Sequence, residues 1–381
     1  MFVELHMLQN FAPSNLNRDD TNNPKDCEFG GVRRARISSQ CLKRAMRWDP
    51  VFQRTTNVEL GVRTKWLVKM LSERLAEAGK PKEELKDIVS LFVESTMSKL
   101  EAKSVKEDGY PRTAVLLYFG QQELADMMQA LSEAWDRLQD KEARKATIEE
   151  IAKAIVKSHK GWTTIPDIAL FGRMLAEKPE LGLEAACQVA HAISTHRVAM
   201  EMDFYTAVDD LNPEDTAGAG MMGFTGYDSA CFYRYARLDW EQLLTNLKGD
   251  AGLARRTVEG FLRATVAAVP GAKQNSFAAL NPPSLLLAIV RQDGMAWSLV
   301  NAFERPVRTD REGGFLAPSA AALDAYWGRL CQVYGTQDHA CVVALALDGD
   351  LPLQNLKSAQ VTDLENWIGA VLKALPKEAK A

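Results

Sequence analysis

The first apolar segment of the chain is short and alternating. Phe2-Val3-Glu4-Leu5-His6-Met7-Leu8 sets apolar and polar side chains in rough turn, the period-two pattern of a strand. Residues 13–26 are rich in Pro, Ser, Asn and Asp and predict a long loop, which in a compact domain is usually functional. From about 60 to 200 the period becomes helical. Amphipathic stretches rich in Ala, Leu, Glu and Lys predict helices at 66–78, 82–100, 121–138 and 143–158, a block of the length expected for an inserted helical subdomain. Beyond it the pattern is mixed. A glycine-rich irregular stretch at 218–226 precedes a strand-like run at 229–238 and a helix near 252–268. Strands follow at 284–291 and 296–304, then a helix at 318–334, a strand at 340–347 and a final helix at 361–374. Four or five strands, mixed with helices and split by a helical insertion, predict an α+β sheet domain and not a doubly wound one.

Composition narrows the class. A chain of 381 residues can bury a large core as two or three domains or one elaborated domain. Hydrophobic content of 46% with 25% charged residues describes a soluble globular protein. No apolar run reaches membrane-spanning length, and the first residues lack the basic start and long apolar core of a secretory signal. Cysteines 27, 41, 187, 231, 331 and 341 are scattered, with no CxxC pair. That spacing argues against a zinc site or a disulfide framework and fits a reducing cytoplasm.

Charge then redirects attention. A net charge of −4 excludes a globally basic nucleic-acid binder, so any such binding needs a local patch. Residues 30–48, GGVRRARISSQCLKRAMRW, carry six basic residues and no acid. Arg33, Arg34 and Arg36 lie on an extended segment that runs through Ser38-Ser39-Gln40 into a short helix. Lys43 and Arg47, four apart, share one helix face, while Leu42 and Met46 share the adjacent face and anchor it. Such cations bind phosphates by releasing condensed counterions.

Catalytic chemistry is sparse. The chain has no Walker loop, GxSxG or HExxH. Asp19, Asp20 and Asp26, with His6 and His196, are the nearest candidates for Mg²⁺-assisted phosphodiester cleavage. Asx turns, or pairing with Arg18 and Arg33, account for these aspartates better. His191 and His196 are five apart, too far for zinc ligation from one helix face, and read as structural. Phe204 and Tyr205, read as aromatics ending a helix, suit base stacking or a core pair equally. Residues 269–276 offer Lys273 in a turn. Residues 305–314 offer Arg305, Arg308 and Arg311, diluted by Asp310 and Glu312.

Several motifs are not generic. They include Asn-Leu-Asn-Arg-Asp-Asp (15–20), the run from Lys25 to Arg47, Ala-Leu-Phe-Gly-Arg-Met (169–174) and Ala-His-Ala-Ile-Ser-Thr-His (190–196). Phe-Tyr-Thr-Ala-Val-Asp-Asp-Leu (204–211), Phe-Tyr-Arg-Tyr-Ala (232–236), Val-Pro-Gly-Ala-Lys-Gln (269–274) and Asn-Ala-Phe-Glu (301–304) complete the set. In order from residue 1 to past 300, the chain resembles the backbone subunit of the type I-E CRISPR Cascade complex, the CasC family. The match is weakest at 60–160 and at the C-terminus.

The resemblance implies a hand-shaped α+β fold. Its palm is a modified RNA-recognition-motif (ferredoxin-like) sheet over 1–59 and 229–381, with helical fingers over 60–194 and a protruding thumb over 195–228. It implies a non-catalytic subunit that needs no cofactor or metal. Copies stack along one CRISPR RNA with other Cascade subunits, pair the guide with target DNA in antiviral defence, and leave cutting to a recruited helicase-nuclease. Guide contacts carry over to Lys25, Ser38, Gln40, Lys43, Arg47 and Arg308, and Met174 matches a position that packs on a displaced nucleotide. Asp310 stands where a second basic residue is expected, which leaves Arg311 as its substitute. With the basic positions Arg18, Arg33, Arg34 and Lys273, these form the expected RNA-binding set. Phe204, Tyr205 and Val208 match a thumb wedge, with Phe-Tyr where relatives carry Trp-Phe. The alternative is an RNA-targeting CRISPR backbone subunit that cleaves RNA through Asp26.

Overall fold

The computed structural model describes residues 1–101, 109–207, 211, 221–309 and 311–377. In chain order its elements begin with β1 (Phe2–Ser14), β2 (Asp26–Phe29), β3 (Val32–Ile37), α1 (Ser39–Trp48), α2 (Pro50–Thr56), β4 (Val62–Thr64), α3 (Leu67–Glu77) and α4 (Lys82–Thr96). Next come β5 (Leu117–Phe119), α5 (Gln121–Glu133), α6 (Trp135–Gln139), α7 (Arg144–Ser158), α8 (Pro166–Phe171), β6 (Cys187–Val189), β7 (Ala192–Ser194) and β8 (Glu201–Ala207). The remainder is β9 (Met221–Asp239), α9 (Trp240–Asn246), α10 (Ala251–Ala267), α11 (Gln274–Phe277), β10 (Leu285–Arg291), α12 (Leu316–Tyr334), β11 (His339–Ala346) and α13 (Leu364–Ala374). The chain divides into two compact units. One holds Met1–Phe52, Gln188–Asp239 and Val258–Pro376; the other holds chiefly Gln53–Cys187 and Trp240–Thr257.

The first unit is built on a sheet ordered β11-β10-β1-β9-β7-β3-β2, with β6 and β8 also paired to β9. β1 runs antiparallel to β9, with Leu5 opposite Ala236, and to β10, with Leu5 opposite Ala288. Its alternating sequence predicts one wet face, yet residues 2–9 are all buried. The polar side chains survive burial because neighbouring strands and loops supply partners, without which each would cost about 1–3 kcal/mol. Glu4 accepts from Arg291 Nε, Tyr235 Oη and the Trp297 amide. Burial pushes the Glu4 carboxyl up, and Arg291 opposes that shift. His6 Nδ1 lies 2.9 Å from Tyr233 Oη. Sheet residues Leu8, Leu285, Leu287 and Ile289 pack with Trp297 and Phe303 and with α12, whose Leu323 and Trp327 share one face.

In the second unit, α3, α4, α5 and α7 share a core of Leu71, Leu75, Ile88, Phe92, Leu124, Leu131, Ile148 and Ile155. The helix expected at 121–138 breaks at Ala134 into α5 and α6.

Elsewhere expectation and structure part. The chain has eleven named strands among the described residues, nine of them in one sheet, where four or five were expected. The 296–304 segment is not a strand but holds a 3₁₀ turn at Leu299–Phe303, whose Leu299 and Phe303 are both fully buried. Phe204 and Tyr205 lie within β8, not at a helix end, because β8 pairs with Met221–Tyr227 as a hairpin. The 221–226 part of the stretch expected to be irregular is therefore strand. Among the described residues no helix is long and apolar enough to cross a membrane.

Candidate nucleic-acid interface

The sheet unit carries most of the basic positions. β2 and β3 form a hairpin turned by Gly30 and Gly31, whose φ values of +61° and +72° suit glycine. The turn is also tight: a Cβ on Gly30 would lie 1.7 Å from the Glu304 carbonyl oxygen. Ser38 then caps α1, its hydroxyl accepting the Cys41 amide at 3.3 Å, while its own amide donates to Asn17 Oδ1 at 2.8 Å. Leu42 and Met46 are buried as expected, so α1 is anchored through its apolar stripe. Gln40 is exposed, and Lys25 and Lys43 are half-buried.

Two arginines differ from expectation. Arg34 has no solvent exposure. Its Nε donates to Phe29 O at 3.1 Å, Nη1 to Ser194 O at 3.1 Å, and Nη2 to Phe303 O at 2.8 Å and Glu304 O at 3.3 Å. The guanidinium therefore clamps the β2–β3 hairpin, β7 and the 303–304 turn together, and it is not presented for phosphate. Arg47 is 4% exposed, its guanidinium 5.4 Å from the Trp48 ring centre, so it does not share an open cationic face with Lys43. Residues 43 and 47 are one turn apart on α1, and the Arg47 end of that face is covered. Exposed Arg44, one position beyond Lys43, escaped sequence reasoning although it lies within the same basic run.

The acidic loop is a built turn. Asp19 Oδ1 accepts the Thr21 amide at 2.9 Å, the Thr21 hydroxyl at 2.8 Å and the Asn23 amide at 2.9 Å. These hydrogen bonds, the Thr21 hydroxyl foremost, hold its pKa below the ordinary range. Exposed Arg18 donates to Asn22 Oδ1 at 2.7 Å on the same loop. Asp26 pairs with exposed Arg33 at 2.9 Å. His196 stacks on Phe315 with ring centres 3.5 Å apart, and its Nε2 accepts the Cys231 amide at 3.2 Å. Burial pushes its pKa down and keeps it neutral. Among the described residues no three His, Cys, Asp or Glu groups converge to hold a metal.

Three further segments complete the surface. Lys273 is half-buried in a left-handed turn before α11. Arg308 and Arg311 are exposed on a loop tied to the residue after β7 by Val307 N–H to Thr195 O at 3.0 Å. The β8–β9 hairpin is the third. Phe204 faces Phe224 across it, with ring centres 5.2 Å apart. Strand alternation places Met202, Phe204, Met222 and Phe224 on one face and Tyr205 on the other. Those four are 53–67% exposed. The adjacent aromatics therefore point opposite ways, and Phe224, Met202 and Met222 join the surface unforeseen. Val208 and Asp310 lie outside the described residues. In the helical unit, Met174 is 90% exposed. It follows Arg173, which is buried on Glu123 at 2.6 Å, Leu181 O at 2.8 Å and Tyr118 O at 3.1 Å.

The fold so described is a mixed helical and antiparallel-sheet protein with basic loops around its sheet and an exposed apolar hairpin. The chain belongs to the CT1975-like protein family, whose model matches residues 3–370. A solved chain titled "CRISPR RNA-guided surveillance complex, pre-nicking" is 30% identical, with a TM-score of 0.86, over 98% of this chain and 100% of that one. A second, titled "CRISPR RNA-guided surveillance complex", is 27% identical, with a TM-score of 0.76, over the same shares. No curated protein matches the sequence. These findings agree with the family resemblance read from the motifs.

Proposed function

We propose that the protein is a CRISPR surveillance-complex subunit, and within it the non-catalytic backbone subunit of a type I-E Cascade. One observation carries this reading: 30% identity at a TM-score of 0.86 over the full length of a chain from an RNA-guided surveillance complex. The palm, a modified RNA-recognition-motif sheet, comprises 1–59 and 229–381, with helical fingers at 60–194 and a thumb at 195–228. Copies assemble along one CRISPR RNA in the cytoplasm with other Cascade subunits. The assembly presents the guide in segments to target DNA for antiviral defence, and a recruited helicase-nuclease does the cutting. Lys25, Ser38, Gln40, Lys43, Lys273, Arg308 and Arg311 grip guide phosphates, and such contacts ignore base sequence. The Asp26-dependent RNA-cleaving reading is not favoured, because the Asp26 carboxylate is paired with Arg33.

The test is reconstitution with CRISPR RNAs of different lengths and spacers. Copies bound should rise with RNA length. Lys43→Ala with Arg308→Ala should weaken all spacers equally and reduce the slope of log K against log salt by about 1–2. One protein per RNA at every length, or losses that depend on spacer sequence, would sink the reading. Cleavage of complementary RNA that Asp26→Ala abolishes would replace it with the alternative.

A further inference from the structure

A cleft of about 790 Å³ opens in the sheet unit between α1, the 16–22 loop and the turn at 268–272. Its walls carry Arg18, Arg44 and Trp48 together with Asp19, Asp20 and Asp49. Trp48 is 57% exposed, whereas Trp135, Trp240, Trp297, Trp327 and Trp367 are each 6% exposed or less. An indole left in water this way does little for the core, because most of its apolar surface stays wet. The Arg44 guanidinium lies 5.9 Å from its ring centre and that of Arg47 5.4 Å, close enough for both cations to polarise the ring.

The charges choose the kind of occupant. Three carboxylates against two guanidiniums give the cleft no net attraction for a phosphate, and Asp19 is held ionised by its hydrogen bonds. A flat, uncharged group that carries both donors and acceptors suits these walls: it stacks on indole, donates to carboxylate and accepts from guanidinium. Lys43 lies elsewhere on α1 and is not among the cleft walls, so it serves as a separate phosphate contact of the reading above.

We infer that Trp48 is a stacking platform for one unpaired RNA nucleobase per protein copy, with Arg18 and Arg44 beside it. The inference rests on the RNA-binding reading above and adds a base-contacting site to it.

The experiment titrates the full chain with single-stranded RNA in which 2-aminopurine is placed at successive positions. On an RNA just long enough for one copy, one position should be quenched on binding. Trp48→Ala and Trp48→Leu should abolish that quench and weaken binding roughly 5- to 150-fold, the range of base–aromatic stacking. Trp48→Phe should keep most of both, and Lys43→Ala should weaken binding while keeping the quench. An abasic residue at the quenched position leaves the protein untouched. It should weaken the wild type as Trp48→Ala does and should not weaken Trp48→Ala further. Wild-type affinity and quench in Trp48→Ala and Trp48→Leu, with Lys43→Ala still weakened, overturn the stacking site and leave the RNA reading standing. A shift in sedimentation of the RNA-free protein on Trp48→Ala also overturns it, because the cleft then receives a second copy of the chain. No RNA binding by the wild type defeats the RNA reading and this site with it.

Discussion

β9 is one strand with two environments. Its outer part, Met221 to Phe224, pairs only with β8 and leaves Met221, Met222 and Phe224 exposed. Its inner part pairs with β1 and β7, and Ala230, Cys231, Phe232, Tyr233, Arg234, Ala236 and Leu238 are all buried. Large apolar side chains occur in both parts, Met221, Met222 and Phe224 in the outer and Phe232, Tyr233 and Leu238 in the inner. The difference is what covers them: the inner part has strands on both sides and helices over its face, while the outer part has one neighbouring strand. Burial turns the inner aromatics into stability, and exposure leaves the outer ones available for a ligand.

The sharpest way to break that contrast is Tyr233→Ala. Tyr233 is 2% exposed, its ring 5.3 Å from Phe303, and its hydroxyl accepts the Leu299 amide at 2.8 Å while meeting His6. Truncation should cost about 3–5 kcal/mol. Urea unfolding should show a lower midpoint at unchanged slope. A loss under 1 kcal/mol would mean that the inner part of β9 does not anchor the sheet.

Proton uptake tests the same region more gently. Burial, aided by Arg291, pushes His6 down to about 3 from its ordinary 6.5. The folded value lies below the unfolded one, so this contribution is whole above pH 6.5 and is lost as pH falls toward 3. By pH 4.5 the loss should reach about 2–3 kcal/mol. His339, pushed down to about 4 by its burial, acts with the same sign. Asp228, at the junction of the two parts of β9, acts with the opposite sign. Burial and the nearby Asp26 push it up to about 7, so its contribution is whole below 3.8 and is lost as pH rises through 7. The two histidines outweigh Asp228 between pH 4 and 6.5, so unfolding free energy should rise with pH over that range and level off near neutrality. His6→Gln should flatten the acid limb alone; an unchanged acid limb would show that His6 does not carry it.

Helical periods and the apolar run at 285–290 were legible because they need no partner to be recognised. The same applies to the Lys43 and Leu42–Met46 faces of α1, which follow from 3.6-residue spacing. What periodicity omits is the cover. Arg34 finds acceptors 160 and 269 residues away, at Ser194 and Phe303, so its residence inside the hairpin cannot be read from neighbours in sequence. Glu4 finds Arg291 at a separation of 287, which turns an apparently wet strand face into a dry one. Trp48 shows the converse. It reads as another apolar residue ending a helix, and only the open cleft beside it sets it apart from the five buried tryptophans.

The smallest effect on stability is expected where the effect on function should be clearest. Phe204 is 53% exposed and touches the sheet unit's outer hairpin through Phe224. Phe204→Ala should change unfolding free energy by no more than about 0.5 kcal/mol, the ordinary range for surface substitutions. In the assembled complex it should impair pairing with target DNA while guide RNA binding stays near wild type, and Phe224→Ala should do the same from the facing position. Tyr205→Ala should have a smaller effect, because Tyr205 projects from the other face of β8. Parallel measurement of guide affinity and target capture separates these outcomes. Equal losses in both would place the hairpin among the structural parts of the molecule and erase the contrast along β9. An effect of Tyr205→Ala as large as that of Phe204→Ala would mean that both faces of the hairpin engage the nucleic acid.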